Sequence, residues 1–320
     1  FFDDAVNGKG LLVIGWRADG RVDVYHQPSL SPDPTTYDIA GKGLANMIMR
    51  EMEHDRFEID ERGVQAGIVF YDIHNRIITL RIEENSSKKR KPFGLLAPMG
   101  DAAENPSAMP LVLLHDFYFV RQKDTRICIR INDKEHTPDK LPIPMDWQRM
   151  LFTRYSPDPF IVTLNPASEG ILEPVQLRGE SVIQRKNGHW YFLYADGQAF
   201  LEKITSGDDR NQIDLSFSPG FPNPYTIADG SEVKGKFRIS GHPSTGSISG
   251  EYRIARQGDK VLISMVPTGG WKPVPNKLSL RFLYRVAKIF RNWPKTYHYN
   301  ATLILDQETA KISSHWERIR

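Results

Sequence analysis

The chain has almost no cysteine. Cys128 is the only one in 320 residues, so no disulfide can close within it, and a reducing, cytoplasmic setting is the expectation. No run of about 18 apolar residues occurs, which excludes a membrane-spanning helix. Neither sign of charge is in excess: a net charge of +3 is too small to mark a nucleic-acid binder. There is no Gly-rich phosphate loop, no His-Glu-x-x-His, no Cys-x-x-Cys and no Gly-x-Ser-x-Gly elbow. The nine histidines are scattered without ligand-like spacing, so neither a metal nor a cofactor is expected. The opening Phe-Phe-Asp-Asp-Ala-Val is not a signal peptide.

What the chain does have is aromatic content and period-two alternation. The 16 Phe, 12 Tyr and 6 Trp are enough for extensive cores. Val64, Ala66, Ile68 and Phe70 point one way, and Ile78, Leu80 and Ile82 repeat the pattern after a turn at His74-Asn75. Ile127, Ile129 and Ile131 alternate with Arg126, Cys128 and Arg130, which reads as a strand with one wet face and an inert, packed Cys128. Later, Val182–Arg185 and His189–Tyr194 flank Asn187-Gly188, a strong hairpin signal. Alternation continues through Val233–Ile239, Ile248–Met265, Thr302–Leu305 and Lys311–Trp316.

One helix interrupts these strands. Asn276 is its expected N-cap and Pro294 its stop, and Leu278, Phe282, Leu283, Val286, Ile289 and Phe290 form an apolar stripe over 276–292. Lys277, Arg281, Arg285 and Lys288 line the other side. With Trp271 and Trp293 at its ends, the segment 276–293 could lie on an anionic membrane; burial of the stripe within the protein is the reading favoured by its composition. The pattern as a whole predicts an all-β, predominantly antiparallel meander in two halves, 1–168 and 169–320, with an irregular insert at 86–110 and the helix in the second half. Two barrels fit two successive meanders; a single antiparallel sandwich is the alternative.

Leu111–Arg121 is the most informative segment. It is apolar on both faces, as a doubly covered strand is, yet carries His115 and Asp116, which are costly to bury without partners. Because successive strand side chains point to opposite faces, His115 and Asp116 are expected not to meet, and Asp116 to share a face with Tyr118. His115, Asp116 and Tyr118 are the candidate acid–base residues, against the simpler reading of hydrogen-bonded structural groups. Arg121, Trp190, Trp271 and His298 are candidate ligand contacts, His298 through a polar row with Asn300 and Thr302. The basic run Lys88-Lys89-Arg90-Lys91 has no interleaved aromatics and reads as a solvated loop. A carbohydrate-active protein would pair carboxylates; Glu173, Glu202 and Asp214 show no readable pairing.

Gly188-His189-Trp190 resembles the Gly-x-Trp of lipocalins, with Arg318 placed to cover the tryptophan; in the first half only Gly15-Trp16 is present. With two meanders and a late helix, the chain resembles the tandem lipocalin-like proteins related to carotenoid hydratases, without the Glu-Trp-Trp-Tyr signature of the hydratases. That resemblance implies barrels enclosing a small apolar ligand such as a lipid or isoprenoid, either bound or converted without a cofactor.

Overall fold

In a computed structural model the described residues are 2–4, 8–16, 22–31, 47–85, 91–97, 106–119, 124–137, 154–155, 160–172, 174–185, 188–207, 211–307 and 309–319. They are predominantly β, and the ladders are antiparallel apart from Val22–His26 beside Met47–Met49. The chain forms two compact units: 1–92 with 117–157, and 93–116 with 158–320. Sequence alternation suggests one division near Asn165; the observed units cross three times, with 93–116 belonging to the second. Most of the insert 86–110, including Lys88–Arg90, lies outside the described residues, as do Arg121 and Glu173.

The first unit contains a five-stranded sheet in the order 134–136, 125–131, 77–84, 64–71, 53–59. The alternation read along Val64–Phe70 meets that of Ile78–Ile82 in register, with Ala66 opposite Ile82 and Ile68 opposite Leu80. Leu11, Tyr25, Met52 and Phe70 are buried together, with Val13, Ile48 and Ile78 packed against them. Cys128 stands opposite Arg81, half-buried.

The second unit holds a ten-stranded sheet ordered 169–172, 310–318, 297–305, 260–272, 247–257, 232–240, 213–222, 198–206, 188–195, 182–185. After its first member this is reverse chain order, a meander. No ladder joins its two end strands among the described residues. Its apolar face is continuous across neighbouring strands: Phe217 opposite Phe237, Ile239 opposite Ile248, Ile254 opposite Ile263, and Leu303 opposite Val261. Two glycines make room for aromatic rings on this face. Gly235 lies opposite Tyr252 and Gly250 opposite Phe237, and a Cβ on either would collide with the ring beside it. Gly250→Ala is therefore expected to destabilise the protein by about 1–3 kcal/mol, the usual cost of overpacking. Urea unfolding measures it, and a loss below about 0.5 kcal/mol would mean that the Phe237 ring and the Val266 carbonyl both give way freely.

The helical segment is two helices, α1 (Leu278–Val286) and α2 (Lys288–Asn292), separated by Ala287 in extended conformation. The N-cap is Lys277, not Asn276, and makes no side-chain cap bond. The expected burial of the whole stripe is also corrected. Leu280 and Tyr284 are buried, whereas Leu278, Phe282 and Val286 are exposed. The reason is that both sides of α1 carry apolar residues and one ring cluster decides between them. Trp271, Tyr284 and Phe290 pack mutually, with centroids 5.1–5.6 Å apart, and Tyr284 Oη donates to the Gly94 carbonyl at 3.2 Å.

Candidate functional site

The strand Met109–Phe119 pairs with Phe160–Leu164 from Met109 to Leu113, and with Arg154-Tyr155 at Tyr118-Phe119. Its residues 111–115 are buried, as expected of a strand covered on both faces. The strand also pairs with Phe93–Ala97, and at His115-Asp116 the alternation rule fails. His115 Nδ1 stands 3.3 Å from Asp116 Oδ2, so the two side chains do meet, contrary to the expectation from period two. Alternation fixes only the direction of each Cβ; the Asp116 carboxylate, beyond its Cβ, turns back toward its neighbour. Tyr118 belongs to the other unit, opposite Tyr155.

Two further groups join His115 from distant sequence. Its Nε2 lies 3.2 Å from Asn211 Oδ1, and its ring centroid is 4.9 Å from that of His242. Leu113, two residues earlier, occupies the space that a side chain at Gly241 would need, which sets the strand against the His242 turn. That turn is the 3₁₀ segment Pro243–Thr245. His242 is its N-cap: Nδ1 accepts the Ser244 N–H at 3.2 Å and lies 2.7 Å from Ser244 Oγ. Nδ1 is thus an acceptor, and neutral His242 carries its hydrogen on Nε2. A His-Pro-Ser-Thr-Gly turn is a recognisable cap signal, but nothing local in it points to His115.

The two imidazoles have contrasting surroundings. His115 is buried and faces a carboxylate on one side and an amide on the other. His242 is exposed, and its pKa is lowered from the ordinary 6.5, first by desolvation of the covered part of its ring and then by His115, with Asp116 opposing. His115 Nδ1 faces the Asp116 carboxylate, the orientation that general bases share. Its Nε2 faces the Asn211 amide oxygen, which must give way before a substrate proton can reach that nitrogen. Contrasting environments for adjacent titratable groups are what acid–base sites require.

The lowered pKa gives a stability prediction with a definite sign. Unfolding returns His242 to its ordinary value, so the unfolded chain binds more protons between the folded value and 6.5. Stability from this group is fully present above 6.5 and is lost as pH falls through the folded value. Urea unfolding of the second unit at two pH values either side of 6.5 should therefore show a larger acid loss in wild type than in His242→Asn, whose side-chain oxygen can still accept from Ser244. Equal losses would contradict it.

The remaining candidates are placed as follows. His298 lies in a cross-strand array: Ser264 Oγ is 2.7 Å from His298 Nε2, His298 Nδ1 is 2.8 Å from Glu317 Oε1, and Asn300 donates to the same oxygen at 2.7 Å. The order serine–imidazole–carboxylate is that of a nucleophilic relay, but such a relay acts only where free donors await an oxyanion. Here Ser264 sits between two regular ladders, opposite Arg253 and Asn300, so the array is a polar tie across three strands. Trp190 is half-buried between Ile183 and Ile204, and the guanidinium over its ring is that of Arg185, at 5.6 Å. Arg318 stands opposite Tyr297. Trp271 is a buried anchor, its indole donating to the Thr245 carbonyl at 2.8 Å. Glu202 is exposed, and Asp214 accepts from Gln212 at 2.8 Å.

Among the described residues, no three His, Cys, Asp or Glu side chains are grouped to hold a metal ion, and no helix is long and apolar enough to cross a membrane. No protein-family model, curated protein or solved structure matches the chain.

Proposed function

We propose that the second unit binds a small, largely apolar ligand and moves a proton on it without a cofactor, with His115 as the base. The observation that carries this reading is the buried His115 held by Asp116 at 3.3 Å, with a second imidazole 4.9 Å away. Asp116 orients the ring, and His242 is the second imidazole beside it. The apolar surroundings of His115, with Leu111, Leu113 and Leu114 buried beside it in the strand, favour an apolar ligand. Isomerisation, hydration or cyclisation of a lipid or isoprenoid is the class of reaction, following the lipocalin-like resemblance. Each adds a proton at one carbon and removes one elsewhere, from a second carbon in isomerisation and cyclisation and from the attacking water in hydration, and a base meets the second need.

The test starts from native mass spectrometry of the purified chain, which identifies a retained small molecule. Conversion of that compound is then compared in wild type and in His115→Asn. Retention by both proteins with conversion reduced by roughly 10²–10⁴-fold in the variant is the expected result. A chain that carries no small molecule, or a variant that converts it at the wild-type rate, would remove the reading.

A further inference from the structure

The face of α1 turned away from the protein combines two features that are costly together in water. Leu278, Phe282 and Val286 are 80%, 65% and 56% exposed, and their spacing of four residues places them in one row along the helix. Each is preceded by an exposed cation, Lys277, Arg281 and Arg285, which makes a parallel basic row beside the apolar one. The row cannot turn inward, because the opposite side of α1 is fixed by buried Leu280 and by Tyr284, which is bonded to Gly94 and packed on Trp271. Nor is the basic row balanced nearby: between Asp259 and Asp306 the sequence has eight Lys and Arg and no acidic residue.

We propose that this face of α1 docks on an anionic phospholipid surface, with Leu278, Phe282 and Val286 entering the acyl boundary. The argument for lipid is the layering. An anionic bilayer presents negative charge directly above an apolar phase, and long basic side chains reach up to the headgroups while neighbouring apolar groups sink. The nine-residue helix, about 13 Å long, would lie in the plane of the surface. Trp271 and Trp293, both buried, take no part in the contact. This surface shares no residue with the His115 cluster, and its test is independent of any catalysis.

The experiment is co-sedimentation of the full chain with vesicles of phosphatidylcholine alone and of phosphatidylcholine with phosphatidylserine. Binding is expected only with phosphatidylserine, and should weaken as salt rises. Arg281→Glu with Arg285→Glu should lower the partition coefficient by at least about tenfold, since each basic residue contributes several-fold at an anionic surface. Phe282→Ser should lower it by about tenfold or more through lost apolar burial. Unfolding midpoints should stay at wild type, because all three positions are exposed, and this separates a docking defect from a folding one. No sedimentation with the anionic vesicles would overturn the proposal. So would unchanged binding in both variants, or a dimer dispersed by Phe282→Ser that sediments with neither vesicle.

Discussion

Trp271→Ala is expected to lower the unfolding free energy by about 3–5 kcal/mol, the range for removing a buried large aromatic. Three losses add at this position. The indole is one of three mutually packed rings with Tyr284 and Phe290, and edge-to-face pairs are worth about 0.5–1.5 kcal/mol beyond their burial. Its N–H satisfies the carbonyl of Thr245, a residue with no exposed surface, and an orphaned buried carbonyl costs about 1–3 kcal/mol. Removal also unlocks the inner side of α1. Since a domain's whole stability is about 5–15 kcal/mol, the variant should unfold at distinctly lower urea. Trp271→Phe should recover most of the packing and leave only the carbonyl unpaired. The competing idea, that Trp271 lines a ligand cavity, expects the opposite: near wild-type stability with a weakened ligand.

The case of Trp271 shows where local sequence pattern stops being informative. Alternation located the strands because each has one apolar face, and the Gly258-Asp259 turn sets the register of the hairpin that pairs Gln257 with Lys260. Helix α1 was legible as a helix, but its orientation was not. Apolar residues occur on two sides of it, and the choice was made by Trp271 and Gly94, neither of which lies in the helix. The candidate site divides the same way. His115 stood out as a polar residue in a strand apolar on both faces. Its contact with Asp116 was hidden because alternation fixes the direction of each Cβ and not the side-chain torsions beyond it. Asn211 and His242 were hidden by distance along the chain, the first being 96 residues from His115. Polar clusters of this kind are assembled by tertiary packing, and no periodicity encodes them.

In the first unit, the turn read at His74-Asn75 hides a strong dependence on one carboxylate, and Asp72→Ala is expected to cost about 2–4 kcal/mol. Asp72 Oδ1 accepts the backbone N–H groups of His74 and Arg76 at 2.8 and 2.9 Å, and Oδ2 binds the Arg76 guanidinium at 2.6–2.7 Å. Asn75 has φ of 57°, a left-handed conformation that needs such support. Asp72 is buried, and its removal takes two hydrogen bonds from the turn at about 1 kcal/mol each and leaves the guanidinium without this partner. Burial alone raises the pKa of Asp72, but the bonds from Arg76 and His74 outweigh it and hold the carboxyl below 3.8. A depressed carboxyl stabilises fully above its unfolded value, and this contribution is lost as pH falls through the folded one. Asp72→Asn keeps one acceptor and loses the charge, so it should fall between wild type and alanine at neutral pH and show a smaller acid dependence below 3.8. Urea unfolding of the three proteins at neutral and acid pH is the measurement. An asparagine variant no more stable than alanine would show that the charge, rather than the two backbone bonds, holds the hairpin closed.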